Sequence, residues 1–263
     1  MKYLYLIKNN LVLFFICLFF SCGSKQEVVY YQNSDNLGKV ESVNSYEIKI
    51  QADDLLMIIV SAEDPEVAAP FNLKAINVVS PTAQDLIGQQ SSQLYLVDSQ
   101  GTIDFPVLGK QKVSGKTRTE VVSMLTKKIA TYIKNPIVNL RIMNFKVSVQ
   151  GEVVAPGTFT INSERLTLLE ALSMAKDLTI YGKRDNILVI REVDGKKTFN
   201  RVDLTKADIV NSPFYYLAQN DVVYVEPNRS KINASKIGPD TGVIISATSI
   251  LVSLITLIIS ITK

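Results

Sequence analysis

The stretch "LYLVDSQGTIDFPVLGKQKVSGKTRTE", residues 94–120, decides how the first half of the chain folds. Apolar, strand-forming residues dominate 94–97 and recur at 102–107. The four residues between these runs, Asp-Ser-Gln-Gly, are of the types that favour a tight turn. The pattern therefore predicts a β-hairpin.

The end of the same stretch predicts a helix. Thr117 and Glu120 stand in the arrangement of a capping box, in which the hydroxyl and the carboxylate satisfy free N–H groups at a helix start. We expect the helix to cover 119–133, since Asn135-Pro136 cannot continue it. Apolar side chains recur on one face of this helix, at Val121, Val122, Leu125 and Ile129.

The second half repeats this arrangement. "KVSVQGEVVAPGTFTI", residues 146–161, predicts two strands with a glycine at each bend. Thr167 and Glu170 form a second capping box before a short apolar helix. An Asp-Gly hairpin and a closing strand follow. We therefore predict an α+β fold of two small, β-grasp-like domains, each a β-sheet with one covering helix.

The composition argues against several classes of function. A net charge of +3 over 263 residues is too small to indicate a nucleic-acid partner. The chain has no His, which is the commonest general base and the commonest zinc ligand. We therefore expect neither an enzyme nor a bound metal or cofactor.

The N-terminus is typical of an exported lipoprotein. Lys2 and Lys8 precede a short apolar run at 11–20, as in a signal peptide. Ser21 followed by Cys22 resembles the lipobox at which such peptides are cut and the Cys is acylated. An uncleaved N-terminal anchor is the alternative. Since Cys17 lies in the predicted signal peptide, Cys22 would be the only Cys of the mature chain.

The rest of the chain divides by composition and pattern. The predicted segments are a signal peptide (1–21), a lipidated tether (22–44), a first domain (45–144), a second domain (145–226), a linker (227–241) and a transmembrane helix (242–262).

The predicted transmembrane helix carries a stripe of hydroxyls. Its length matches the roughly 20 residues that span hydrocarbon. The hydroxyls could form a packing seam between neighbouring helices or face a water-filled pore. The stripe follows a three-four spacing that keeps its members on one helical face, at Ser246, Ser249, Ser253, Thr256 and Ser260.

Two polar motifs are predicted not to form sites. In "GKQKVSGKT", residues 109–117, five residues separate the glycines, whereas a Walker loop needs four. The pairs Asp53-Asp54 and Glu63-Asp64 are adjacent residues, which point to opposite faces of a strand. We expect solvation of these carboxylates, with Asp53 also able to accept backbone N–H bonds in a bend.

Two aromatic pairs and two glycines allow a structural or a binding role. Tyr30-Tyr31 and Tyr215-Tyr216 could stack on sugar rings, but such residues more often serve as packing anchors. Gly151 and Gly157 are expected to provide turn geometry.

At this point the residues resemble a known family. "YEIKIQADDLLMIIV" and "YLVDSQGTIDFPVLGKQKVSGKTRTE" resemble the polysaccharide biosynthesis/export domain of the capsular polysaccharide export outer-membrane lipoproteins. "KVSVQGEVVAPGTFTI" and "LTLLEALSMA" are similar to the adjoining soluble-ligand-binding β-grasp domain. The lipobox and the terminal helix match the family at both ends.

The resemblance implies a homo-oligomeric ring, an octamer in well-known members, whose C-terminal helices form a barrel through the outer membrane. Capsular polysaccharide or exopolysaccharide would pass through it from an inner-membrane co-polymerase of the tyrosine-kinase type. Longer members have two soluble-ligand-binding domains, and only one fits here. A non-channel sugar-binding lipoprotein, anchored in the membrane at both ends, is the alternative function.

Overall fold

The structure, a computed structural model, describes residues 28–36, 47–74, 76–78, 89–91, 93–193, 195–236 and 239–261. Elements up to residue 142 belong to a first domain. They are β1 (Leu55–Ser61), α1 (Pro65–Ala68), β2 (Ile76–Val78), β3 (Gln89–Ser91), β4 (Tyr95–Leu96), β5 (Thr102–Phe105), β6 (Gly109–Lys112), α2 (Arg118–Ile129) and β7 (Ile137–Ile142).

Strand β1 is the centre of the first domain. It pairs antiparallel with β4 on one side and with β7 on the other, while β2–β3 and β5–β6 form separate two-stranded ribbons. Helix α2 buries Val121, Leu125 and Ile129 in the same core as β1 and β7. The predicted apolar face of the helix is thus confirmed, apart from Val122, which is only partly buried.

The hairpin predicted for 94–107 is wrong in its pairing. The turn forms, with the Gly101 N–H donating to the Asp98 carbonyl at 2.8 Å. However, β4 pairs with β1 and β5 pairs with β6. The reason is that Val97 is held by the bend before β1: its N–H donates to the Asp54 carbonyl, and its carbonyl accepts from the Asp53 N–H, both at 2.9 Å.

The capping box of α2 is confirmed, with Thr117 and Glu120 bonded reciprocally. The helix nevertheless ends at Ile129, before the predicted end at 133. Beyond Ile129 the N–H groups of Thr131 and Tyr132 donate to carbonyls three residues back, at 3.4 and 2.8 Å, so the chain continues as turns and not as an α-helix.

The second domain is one five-stranded sheet with a helix on one face. The strand order is β11-β10-β12-β8-β9, with β12 and β8 parallel and the other pairs antiparallel. The predicted hairpins β8–β9 and β10–β11 are confirmed. The elements are β8 (Lys146–Gly151), β9 (Gly157–Thr160), α3 (Leu168–Met174), β10 (Gly182–Val193), β11 (Lys196–Val202) and β12 (Val222–Pro227).

The two glycines of the β8–β9 connection are not equivalent. Gly151 has a φ of 91°, and a Cβ there would lie 2.1 Å from the Val225 carbonyl oxygen. Gly157 has no left-handed φ, and a Cβ there would meet Phe159 at an ordinary 3.7 Å. Only Gly151 is therefore required by the backbone.

Two helices follow the second domain. Helix α4 (Arg229–Ser235) and the start of α5 (Pro239–Ile261) lie inside the stretch 227–241 for which the sequence predicted a linker. A C-terminal helix is thus present where one was predicted. No helix within the described part of the chain is both long and apolar enough to cross a membrane.

Candidate functional site

The segment 28–36, which we call the N-terminal strap, packs on the second domain. The Gln32 N–H donates to the Thr205 carbonyl at 2.7 Å, and the Asn33 side-chain oxygen accepts from the Ala207 N–H at 2.6 Å. This part of the predicted tether is therefore hydrogen-bonded to the segment that follows β11, at Thr205 and Ala207.

The strap is fixed at Tyr30. Its hydroxyl donates to an Asp177 carboxylate oxygen at 2.6 Å, and the Arg184 guanidinium lies 5.5 Å from its ring centre. Burial, followed by the hydrogen bond to Asp177, raises the pKa of Tyr30. This tyrosine is therefore a neutral donor at physiological pH.

The second aromatic pair lies close to the strap. Burial raises the pKa values of Tyr31 and Tyr215. The neighbouring Tyr215 raises the pKa of Tyr31 further, and the neighbouring Tyr216 raises that of Tyr215. The Tyr215 and Tyr216 rings meet edge to face at 5.0 Å, and the Arg165 guanidinium lies 5.6 Å from the Tyr216 ring. All of these rings are half-buried. The two pairs singled out in the sequence thus form one surface, which we call the aromatic surface.

A buried ion pair supports that surface. The Arg191 guanidinium donates to the Asp221 carboxylate, with a shortest distance of 2.7 Å, and also to the Tyr216 carbonyl at 2.9 Å. It lies 5.0 Å from the Phe214 ring. Sequence analysis missed this pair because thirty residues separate its members, with no local pattern to connect them.

A second polar cluster joins the two domains. The Asn144 side chain accepts from the Leu55 N–H and donates to the Asp53 carbonyl, both at 2.9 Å. Gln219 donates to the Asn144 carbonyl and accepts from the Lys146 N–H, both at 2.8 Å. These bonds link the start of β1 with the loop before β12. We call this cluster the domain junction.

Asp54 lies in the domain junction and is fully buried. One carboxylate oxygen accepts from the Gln51 N–H at 2.8 Å, and the other has no partner among the described residues. Burial raises the pKa of Asp54 to about 6, although the Gln51 N–H and the Gln219 amide lower it in part. The prediction that the Asp53 side chain accepts backbone N–H bonds in this bend is wrong. Its side chain is exposed, and the Asp54 carboxylate accepts the Gln51 N–H instead.

The other polar motifs have structural positions. Asp64 caps α1 by accepting the Glu66 N–H at 2.9 Å. The residues of "GKQKVSGKT" form strand β6 and the capping box of α2. Within the described ranges, no group of three or more side chains has the composition of a metal site.

The hydroxyl stripe lies on α5 and is exposed. Several of its hydroxyls donate to carbonyls of the preceding turn: Ser246 to Gly242 at 2.8 Å and Ser253 to Ser249 at 2.8 Å. Thr256 bonds the Val252 carbonyl in the same way. Each such hydroxyl is therefore satisfied as a donor by its own helix and keeps its oxygen as an acceptor. Ser249 and Ser260 complete the stripe, and the predicted lipidation site, Cys22, lies outside the described residues.

Comparisons with known proteins identify both domains. Residues 42–143 match the family of polysaccharide biosynthesis/export proteins. Residues 145–225 match the SLBB domain. This family is one of export proteins and not of enzymes.

Curated relatives agree with these matches. The chain is 31% identical over 183 residues to the EPS I polysaccharide export outer membrane protein EpsA of Ralstonia solanacearum, covering 68% of this chain and 48% of the relative. It is 34% identical over 147 residues to the protein of that name from Ralstonia nicotianae, covering 54% and 38%. The chain therefore spans about half the length, or less, of the relatives it matches. Both domains and both relatives lead to one assignment: this chain belongs to the polysaccharide export family.

Proposed function

We propose that this protein is the subunit of an outer-membrane polysaccharide export channel. Several copies form a ring, and the α5 helices of the ring line a conduit from the periplasm to the cell surface. The exported polymer is a capsular polysaccharide or an exopolysaccharide. The two Ralstonia relatives are polysaccharide export proteins of the outer membrane, which supports this assignment.

The observation that carries the proposal is the hydroxyl stripe. Because Ser246, Ser253 and Thr256 donate to their own helix, they need no partner on another chain. Their oxygens remain acceptors for water or for sugar hydroxyls, and they carry no charge to retain a passing polymer. A single α5 is not apolar enough to cross a membrane alone. In a ring of copies, the hydroxyl face of each α5 would point to the lumen and only the apolar face would contact lipid.

The ends of the chain support the same arrangement. A lipid on Cys22 would already attach the protein to the membrane, so a second attachment at α5 is expected to have another role. The first domain is connected to the second at Lys146, the start of β8, whereas α4 begins just beyond the end of β12. Since β8 and β12 are parallel, these two points lie at opposite ends of the sheet. The first domain is therefore proposed to face the inner-membrane co-polymerase.

A thiol-accessibility scan tests the lumen. Single Cys replacements are made in the full chain at stripe positions 249, 253 and 256 and at the off-stripe positions 250, 254 and 258. The channel predicts that a membrane-impermeant reagent labels the stripe positions preferentially. Labelling at the off-stripe positions alone would exclude a lumen lined by this face.

The aromatic surface favours a second candidate function, a sugar-binding lipoprotein that forms no channel. Half-buried tyrosines with an arginine beside them are suited to stacking on sugar rings. This function predicts that the purified protein binds oligosaccharide while showing no conductance in a planar bilayer. The channel predicts conductance that soluble polymer blocks.

A further inference from the structure

Three connections meet at one end of the second sheet. Strands β8 and β12 are parallel, and their ends lie side by side because Val225 pairs with Gly151. Strand β10 starts at the same end, with Gly182 paired to Pro227. The loop after β8, the loop before β10 and helix α4 are therefore neighbours.

These connections expose a group of large apolar side chains, which we call the sheet-end patch. Isolated apolar residues are common on protein surfaces, but several of them on neighbouring connections, beside cations, indicate an interaction site. The exposed fractions are 61% for Ile180, 58% for Val154, 44% for Ile232, 41% for Tyr181 and 40% for Met174.

Backbone and side-chain hydrogen bonds hold the patch together. The Val154 N–H donates to the Asp177 carbonyl at 3.0 Å, which joins the two loops. The Asn228 N–H donates to the Tyr181 carbonyl at 2.7 Å, which joins α4 to them. Thr179 donates its hydroxyl to Glu152 at 2.8 Å. The apolar residues thus lie on connections that are bonded to one another.

Cations surround the patch in excess. The Lys231 ammonium lies 5.2 Å from the Tyr181 ring centre and 3.8 Å from Glu152. The nearby anions are fewer: Glu152, Asp185, which lies 3.9 Å from the Lys183 ammonium, and Asp177, which accepts from the neutral Tyr30 hydroxyl and keeps its charge. The remaining exposed cations are Lys176, Arg229 and Lys236, and none of them forms an ion pair with a described residue.

The patch lies where the chain turns towards α5. Three residues separate Ser235, the end of α4, from Pro239, the start of α5, and the four residue steps between them limit that gap to roughly 14 Å. The first domain is attached at the other end of the sheet, at Lys146. The patch therefore belongs to the end of the molecule that α5 occupies.

We propose that the sheet-end patch rests on the anionic phospholipid surface of the membrane. Val154 and Ile180 enter the headgroup region, Tyr181 places its hydroxyl at the water boundary, and the surrounding cations contact phosphate groups. The inference rests on the proposed function in one respect, namely that α5 is the membrane segment. In a ring, the patch of every subunit would fix the depth and tilt of the second domain.

Single-tryptophan variants test this contact, since the chain has no Trp of its own. Ile180→Trp reports on the patch, and Ile255→Trp reports on α5. Val193→Trp is the matched control: Val193 is 51% exposed and lies at the far end of β10, roughly 35 Å along the strand. Each full-length variant is mixed with vesicles of phosphatidylethanolamine and phosphatidylglycerol that contain a brominated lipid.

The proposal predicts quenching and a blue shift at positions 180 and 255, with neither at position 193. Quenching at 255 without quenching at 180 would overturn the patch and leave the channel intact. No quenching at either position would overturn the membrane role of α5 as well. A blue shift at 180 that depends on protein concentration and needs no lipid would instead make the patch a contact between subunits.

A charge variant separates lipid contact from simple apolar adhesion. Arg229→Glu combined with Lys231→Glu is expected to reduce quenching at position 180 severalfold, because the anionic headgroups lose their partners. The control combines Lys196→Glu with Lys197→Glu at the far end of the sheet and is expected to change nothing. Equal quenching in both pairs, or unchanged quenching after replacing phosphatidylglycerol with phosphatidylcholine, would overturn the electrostatic part.

Discussion

Among the described residues, each domain buries one carboxylate completely, and the surroundings of these two carboxylates differ. Asp221 in the second domain accepts from Arg191 at 2.7 Å and from the Ala218 N–H at 2.8 Å. Asp54 in the domain junction accepts from the Gln51 N–H at 2.8 Å and lies beside the Gln219 amide, and one of its oxygens has no hydrogen-bond partner among the described residues. Burial raises both pKa values, and that of Asp54 reaches about 6. The paired carboxylate secures a loop, whereas the unpaired one makes the junction sensitive to pH.

The largest expected effect comes from removing the partner of Asp221. Arg191→Met leaves a buried charge unpaired and is expected to lower the free energy of unfolding by about 3–5 kcal/mol at neutral pH. Urea denaturation measures this loss. The control is Arg201→Met, which breaks the more exposed pair with Glu226 and is expected to cost about 0–1 kcal/mol. Equal losses in the two variants would contradict the expectation that breaking the buried pair costs more stability than breaking the exposed one.

Asp54→Asn gives the next largest effect, and its sign depends on pH. A carboxyl whose pKa is raised on folding binds its proton more tightly when folded, so its stabilisation is complete below 3.8 and is lost as pH rises through about 6. The free energy of unfolding of the wild type is thus expected to fall by about 3 kcal/mol between about pH 4 and about pH 7. Asn carries no charge and can still accept from Gln51, so the variant should show little of this decline.

Unfolding curves at several pH values measure the difference between Asp54→Asn and the wild type. Asp53→Asn is the matched control, because this neighbouring carboxylate is exposed. Because the Asp53 charge is the smallest cause of the raised pKa of Asp54, this variant should keep most of the decline in stability with rising pH. Parallel pH profiles for the wild type and Asp54→Asn would show that the buried carboxylate does not control the stability of the junction.

Gln219→Leu sharpens the same comparison. It leaves the Lys146 N–H without its acceptor and removes an amide that lowers the pKa of Asp54. We expect the free energy of unfolding to fall by about 1–3 kcal/mol, and the pH at which half of the Asp54-dependent decline has occurred to move to a higher value. Gln150→Leu, at an exposed position of β8, is the control. An unchanged midpoint in Gln219→Leu would separate this amide from Asp54.

Tyr30→Phe gives the smallest expected effect. The variant removes a 2.6 Å hydrogen bond, but the acceptor Asp177 is exposed and water can replace the donor. A loss of about 0.5–1 kcal/mol follows. Thermal unfolding compares it with Arg191→Met. A loss as large as that of the buried pair would mean that the strap, and not burial, dominates the stability of this domain.

Local patterns in the sequence predicted local structure. Both capping boxes, the β8–β9 and β10–β11 hairpins and the need for Gly151 follow from residues within a few positions of one another. In each case the residue types themselves satisfy the geometry, so no distant part of the chain decides the outcome.

Distant pairings were not predictable in the same way. Strand β4 pairs with β1 because the bend at Asp53 and Asp54 binds Val97 from more than forty residues away. Tyr30 meets Asp177 across 147 positions, and Gln219 meets Asn144 across 75. None of these contacts leaves a periodic trace in one sequence, so both the aromatic surface and the domain junction required the structure.

The central claim is that several copies of this chain enclose one conduit, with α5 of each copy in its wall. Native mass spectrometry of the full chain, extracted from outer membranes in mild detergent, tests it most directly. A single closed oligomer of several subunits is the predicted result. A stable monomer under the same conditions would contradict the channel and favour the sugar-binding lipoprotein.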